Sequence, residues 1–296
     1  MVEITRVRTI SAGRIAPKVQ IVSEEIKTEG SSPIGMFDSG VGGLTTLREV
    51  QKQLPVESVI YIADTARVPF GGRPKSEIVK INHQIIGRLM ELGVKMIIMA
   101  CGTSSALAYP VVKDKYKLPL ISIVEPGARA AVSATRNKKI GVIATVATAG
   151  SHAYRKAIKA VNSDIEVYEV GCPLFVPLIE GGFIDSEDTK KVAKEYLSPL
   201  IDAQVDTLIL GCTHYPHLSR IIESIMGRNV VLIDTAEETV KEAKQILLRS
   251  GLASTVNQPP QYQFLVTGDP DSFSSLGSKL LGKPLTNVKQ VTLISK

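Results

Sequence analysis

The feature that most constrains this chain is a junction that occurs twice. It reads Val94-Lys95-Met96-Ile97-Ile98-Met99-Ala100-Cys101-Gly102-Thr103 in the first half and Val205-Asp206-Thr207-Leu208-Ile209-Leu210-Gly211-Cys212-Thr213-His214-Tyr215-Pro216 in the second. Each copy is a short apolar run ending in a small residue, then cysteine, then threonine and turn-forming residues. That pattern predicts a buried strand opening into a helix N-terminus. The cysteines lie 111 positions apart, and Ile34-Gly35-Met36-Phe37-Asp38-Ser39 is echoed by Ile140-Gly141-Val142-Ile143-Ala144-Thr145 at an offset of 106. Two independent echoes at nearly one offset point to an internal duplication.

Around these junctions apolar strands alternate with amphipathic helices. Strands are expected near 34–38, 58–63 and 120–124, with helices near 43–53, 75–92 and from about 103, bent or stopped near Pro110. The clearest helix carries Ile78, Ile81, Ile85, Leu89 and Leu92 on one face and Lys80, Gln84 and Arg88 on the other. Glu125-Pro126-Gly127 reads as a break and a domain boundary. The second half predicts strands at 139–144, 165–169, 206–210 and 230–233 and helices near 151–161, 187–202, 217–226 and 235–249, with 172–182 irregular. The tail holds a strand near 263–267 and a helix after Asp269-Pro270, expected to pack back on the first domain. The βαβα order predicts an α/β fold of two pseudo-symmetric parallel-sheet domains facing each other across a central cleft. The first would comprise 33–125 and 235–296 and the second 126–234, with residues 1–32 an N-terminal extension whose one patterned stretch is Lys18-Val19-Gln20-Ile21-Val22.

With 296 residues, 44% of them hydrophobic, the chain is long enough for two ordinary domains. No apolar run approaches the roughly 20 residues of a membrane span, and the start mixes charges with apolar residues, so neither membrane nor signal is expected and a cytoplasmic location is. The formal charge of +6 comes from Lys and Arg interleaved with Asp and Glu, which describes a solvated surface rather than a nucleic-acid-binding patch. Three cysteines, Cys101, Cys172 and Cys212, cannot all pair and show no C-x-x-C spacing, so reduced thiols are expected.

Ligands of open parallel sheets sit beyond the carboxyl ends of strands, where Asp38, Cys101 and Cys212 all fall. Two thiols opening on one cleft from opposite sides suit a two-base 1,1-proton transfer, one removing the α-proton of a small chiral acid as thiolate and the other donating to the opposite face as thiol. His214 is placed to relay protons for Cys212. Asp38 reads equally as a helix N-cap or as a proton partner of Cys101, and the amides of Gly40-Val41-Gly42-Gly43 can hold a carboxylate. That loop has neither a P-loop ending nor G-x-G-x-x-G spacing, which excludes a nucleotide site of those kinds. His83, His152 and His217 read as structural or surface residues, Cys172 as packing, and Arg73 and Lys75 as solvent-exposed. The residues alone leave open a racemase of another small acid, such as aspartate, or a binding protein with a silent cleft.

From Pro33 onward the chain resembles the cofactor-independent glutamate racemases of bacteria. The resemblance is carried in order by Asp38-Ser39-Gly40-Val41-Gly42-Gly43-Leu44, Ala63-Asp64-Thr65-Ala66-Arg67, Pro69-Phe70-Gly71, Ala100-Cys101, Glu125-Pro126-Gly127-Ala128-Arg129, Gly171-Cys172-Pro173-Leu174-Phe175-Val176-Pro177 and Gly211-Cys212-Thr213-His214-Tyr215-Pro216. It implies Cys101 as the base for the D-isomer and Cys212 as the base for the L-isomer, Asp38 assisting the first, and His214 with Glu180 assisting the second. Ser39, Pro69, Phe70, Gly71, Gly102, Thr103, Thr145, Thr148 and Thr213 would line the substrate site. It further implies D-glutamate supply for peptidoglycan by a homodimer with no metal or pyridoxal phosphate. Three positions depart from the family pattern: Gly102 where Asn is usual, Phe70 where Tyr is usual, and Ala144-Thr145-Val146-Ala147-Thr148 where the family has Gly-Thr-x-Gly-Thr.

Overall fold

The computed structural model describes residues 6–7, 21–22, 29–255 and 257–293. Most of the 1–32 stretch therefore lies outside the described residues. Of Lys18–Val22, Ile21–Val22 (β2) is described and pairs antiparallel with Arg6–Val7 (β1).

Every other strand is parallel. β3 (Ile34–Asp38), α1 (Leu44–Gln53), β4 (Val59–Ala63), α2 (Lys75–Glu91), β5 (Met96–Met99), α3 (Gly102–Leu107), α4 (Tyr109–Val112) and β6 (Leu120–Ser122) build the first half. The second half consists of α5 (Val124–Ala134), β7 (Lys139–Ala144), α6 (Val146–Ser151), α7 (Ala153–Val161), β8 (Glu166–Gly171), α8 (Phe175–Glu180), α9 (Glu187–Asp202), β9 (Thr207–Leu210), α10 (Ser219–Met226) and β10 (Val231–Asp234). α11 (Thr235–Ser250), β11 (Tyr262–Val266), α12 (Pro270–Leu281) and β12 (Val288–Gln290) complete the chain. The tail returns to the first half: the six-stranded sheet has the order β12-β11-β4-β3-β5-β6, and the four-stranded sheet β10-β9-β7-β8.

Helices cover both faces of each sheet, which is why the strands read as unbroken apolar runs. Side chains still alternate between faces. Met96 and Ile98 pack with Leu47 of α1 and Val240 and Leu247 of α11, while Ile97 and Met99 pack with Ile78, Ile81 and Ile85 of α2. In the second sheet Leu208 and Leu210 face Leu197 and Leu200 of α9, and Ile209 faces Tyr154 and Ile158 of α7.

Three local expectations are corrected, two of them for one reason. Glu125-Pro126-Gly127 is no break; it lies in the opening of α5, and the 120–124 strand stops at Ser122. The 172–182 stretch is likewise not irregular throughout, because Pro177 sits in the opening turn of α8. A proline in a helix's first turn removes an N–H that has no intrahelical partner, so it can begin a helix as readily as end one. The third correction is α6, which precedes the helix expected at 151–161. Thr145 caps it by accepting from the Thr148 N–H, and His152, left-handed at φ 54°, separates it from α7. The short edge strand β12 was not expected. A 3₁₀ turn, Tyr215–Leu218, precedes α10. Among the described residues no helix is long and apolar enough to cross a membrane.

At the amino ends of the first sheet's strands, away from the cysteines, Lys95 and Glu57 form a buried ion pair at 2.5 Å. Lys95 also donates to the Gly30 carbonyl at 2.7 Å, and Glu57 accepts from the Ser254 N–H at 2.8 Å. One pair thus joins the start of the described core, the α1–β4 connection and the segment after α11. Removing one partner strands the other charge in the interior. Lys95→Met should lower unfolding free energy by about 3–5 kcal/mol. Urea denaturation checks this, and a loss below about 1 kcal/mol would show that the pair is not holding these segments.

Candidate active site

Both sheets change direction of winding beside their first strand. In the larger sheet β4 lies on one side of β3 and β5 on the other; in the smaller, β8 and β9 flank β7 in the same manner. Such switch points leave a crevice beyond the carboxyl ends of the strands. Asp38 ends β3, and Cys101 lies two residues beyond Met99, which pairs with Phe37. Cys212 lies two residues beyond Leu210, which pairs with Ile143. The repeated sequence junctions therefore occupy equivalent places in the two sheets.

Around Cys101 the groups are anionic or neutral. The Asp38 carboxylate accepts from the Gly43 N–H at 2.6 Å and the Ser39 N–H at 2.8 Å, so it is both the anchor of the glycine loop and the nearest charge to the thiol. Tyr61 fixes the same loop by donating to the Gly40 carbonyl at 2.9 Å. Ser39 Oγ lies 3.9 Å from Cys101 Sγ. Burial and the Asp38 charge push the Cys101 thiol up to about 12. Cys101 rests as a protonated acid.

Cys212 is different. Its sulfur lies 3.8 Å from His214 Nδ1, and His214 Nε2 lies 2.9 Å from Glu180 Oε1 at the end of α8. Burial disfavours the charged imidazole. The hydrogen bonds to Cys212 and Glu180, with the charges of Cys212 and Asp38, outweigh that and raise His214 to about 10. The imidazole thus stands between the Cys212 sulfur and the Glu180 carboxylate, within reach of both. His217 belongs to no such chain: burial, His214 and Arg48 lower it to about 4.

Both thiols line one cavity of about 750 Å³, in the range of small-molecule sites. Asp38, Glu180 and His214 line it too, as do Ser39, Pro69, Phe70, Gly71, Gly102, Thr103, Thr145 and Thr213. Thr148 does not. It stands fully buried behind Thr145, 2.9 Å away through the hydroxyls, and Thr145 lies 3.2 Å from Thr103 across the two halves. It contacts Thr145 and is not among the residues bordering the cavity. Cys172, read from sequence as packing, is buried yet also borders the cavity, with its thiol turned to the Val170 carbonyl at 3.7 Å. Arg73 pairs with Glu77 and donates to the Arg67 carbonyl at 2.7 Å. No Lys or Arg lines the cavity among the described residues, so an anionic ligand must be held by N–H groups, hydroxyls and His214.

Sequence reasoning missed the contribution of α12. Asp269, Ser272, Phe273 and Leu276 form part of the wall although they lie far along the chain. The tail's fold-back was the one available signal, since β11 pairs with β4 and carries α12 to the crevice.

The two halves meet closely where the site is formed. A Cβ on Gly102 would lie 2.6 Å from the Gly211 carbonyl oxygen, and one on Gly42 2.5 Å from the His214 ring. Thr45 in α1 donates to the Thr213 carbonyl at 2.9 Å. Glycine at 102 thus lets the Cys101 and Cys212 turns touch.

The family model described as Asp/Glu/Hydantoin racemase matches residues 43–243. A glutamate racemase of Gloeothece citriformis is 49% identical over 251 residues, 85% of this chain and 89% of that protein. Among solved structures, a glutamate racemase isoform of Bacillus anthracis superposes with a TM-score of 0.86 at 37% identity, covering 90% of this chain and 99% of its own. A Francisella tularensis glutamate racemase in complex with D-glutamate gives 0.84 at 39% identity, over 89% and 98%.

Two outcomes follow from this geometry. Gly102→Ala must push the facing turns apart, at a cost of about 1–3 kcal/mol in stability. A displacement near 1 Å between reacting groups should lower kcat/KM by about 100-fold. Urea denaturation and steady-state turnover check the pair, and full activity would refute the close contact. For His214, the charged form stabilises the fold fully below its ordinary value of 6.5, and that contribution fades as pH rises toward about 10. Glu180→Gln removes one raising group, so the imidazole titration followed by NMR should move downward, and an unchanged midpoint would contradict the Glu180 link.

Proposed function

The chain belongs to the Asp/Glu/hydantoin racemase family, and on that premise we propose that it interconverts L- and D-glutamate by transfer of the α-proton between two cysteines. The observation that carries this reading is the shared cavity: both sulfurs border one space from equivalent ends of two sheets. The relatives named above supply the substrate, since each is a glutamate racemase by name.

In the L-to-D direction Cys212 thiolate takes the α-proton, leaving its electron pair on the α-carbon. Cys101 thiol then delivers a proton to the opposite face and is left as thiolate. In the reverse direction the roles exchange. The surroundings support this order, because His214 is raised beside Cys212 while burial and Asp38 disfavour thiolate at Cys101. Asp38 holds the glycine loop in place and opposes a lasting negative charge on Cys101, which favours return of its proton. The substrate carboxylates meet the amides and hydroxyls around Ser39, Gly71, Gly102, Thr103, Thr145 and Thr213. No cofactor or metal enters this scheme. The same family resemblance supports a cytoplasmic homodimer whose D-glutamate serves peptidoglycan synthesis.

Purified protein incubated with either glutamate enantiomer and no added cofactor should approach an equal mixture, as read by chiral chromatography. Cys101→Ala and Cys212→Ala should each reduce turnover by about 100- to 10,000-fold, because each removes an acid–base group. Conversion of aspartate in place of glutamate would overturn the substrate, and turnover indifferent to either cysteine would overturn the mechanism.

A further inference from the structure

The connection between β4 and α2, residues 64–74, supplies one wall of the cavity yet has little apolar packing of its own. Thr65, Val68, Pro69, Phe70, Gly71 and Gly72 line the cavity. Phe70 is the one buried apolar side chain of the connection, clustered with Ile78 and Ile81 of α2. Val68 is exposed, and Gly71 and Gly72 have no side chain to pack. The wall nevertheless stands close against its neighbours. A Cβ on Gly71 would lie 3.8 Å from Thr145 Cβ in the other half, and one on Gly40 would lie 3.8 Å from Val68. Polar side chains outside the cavity fix it there.

Asp64 is fully buried just past β4, and its N–H donates to the Asp38 carbonyl at 3.1 Å. Its carboxylate accepts from Thr267 Oγ1, just past β11, at 2.8 Å and from Arg67 Nε at 3.0 Å. The Arg67 guanidinium also reaches α2, donating to Gln84 Oε1 at 2.5 Å. The Arg67 carbonyl in turn accepts from Arg73 Nε at 2.7 Å, and Arg73 pairs with Glu77 of α2. Residues 68–72 are thus tied at both ends, to a buried carboxylate and to a helix. Neither arginine borders the cavity, so whatever they do for a ligand there they do through the wall. We propose that Arg67 and Arg73 are positioning residues that hold residues 68–72 in place before substrate arrives. A wall already in place spares the substrate the cost of ordering it. With a tie cut, only a fraction of the free protein has the wall in position, and apparent affinity falls by that fraction. Saturating substrate restores the wall, so turnover at saturation is kept. This rests on the proposed racemisation taking place in this cavity.

The test measures kcat and KM for both glutamate enantiomers in Arg67→Met and Arg73→Met beside the unaltered chain. Arg67→Met strips the buried Asp64 of its cation and can fail to fold. Arg73→Met leaves behind only the partly exposed Glu77, so it decides the matter in that event. Each folded variant should raise KM about 10-fold, equally for the two enantiomers because they are equal in energy, and keep kcat within about twofold. Hydrogen exchange of the amides of residues 65–73 should quicken in the free variants and slow again at saturating glutamate. Loss of folded protein alone would lower kcat and leave KM as it was. That result, an unchanged KM in either folded variant, or exchange no faster than in the unaltered chain would overturn the proposal. Failure of the unaltered chain to racemise glutamate, with the exchange differences intact, would instead bring down the reading on which it rests.

Discussion

Both thiols border one cavity because the carboxyl ends of two parallel sheets come together around it and touch at two glycines. Gly102 lies against the Gly211 carbonyl, and Gly42 lies against the His214 ring. Any side chain at either glycine would occupy the contact. The rest of the architecture serves that meeting: β3 with β5 and β7 with β9 hold the two cysteines at equivalent distances past their last paired residues. Thr45 and the Thr103–Thr145 pair hold the halves together at the rim.

Equivalent backbone positions do not give equivalent chemistry. The proposed two-thiol transfer needs one proton on one sulfur and none on the other, and identical surroundings would leave that choice undecided. The chain settles it with charge. Asp38 and burial keep Cys101 protonated, while the Glu180–His214 dyad places a cation against Cys212. The proposed L-to-D step leaves Cys101 charged, a state that burial and Asp38 oppose. Under the proposed mechanism that opposition favours return of a proton to Cys101 after L-to-D turnover.

Much of this was legible in the sequence because duplication makes a pattern visible. The apolar run before each cysteine, repeated at almost the same spacing as Ile34–Ser39 and Ile140–Thr145, pointed to paired strand ends without any coordinates. Prolines misled where they open helices, at Pro126 in α5 and Pro177 in α8, since a first-turn proline and a breaking proline have the same local composition. Glu180 was reachable only through family resemblance, because α8 lies far in sequence from the histidine it orients. The contribution of α12 depends on β11 adding to the first sheet, a long-range pairing that no short window contains. Thr148 shows the converse limit: the motif marks its importance, but only coordinates reveal that it stands behind Thr145 rather than in the cavity wall.

The most direct measurement of the central claim is solvent deuterium incorporation early in the conversion of L-glutamate in deuterated water. Two opposed thiols predict product D-glutamate carrying deuterium at the α-carbon while the remaining L-glutamate stays largely unlabelled, because the group that removes the proton is not the one that returns it. Label entering both enantiomer pools at equal rates, or product retaining the original hydrogen, would mean that a single group works both faces and that the paired-cysteine account is wrong.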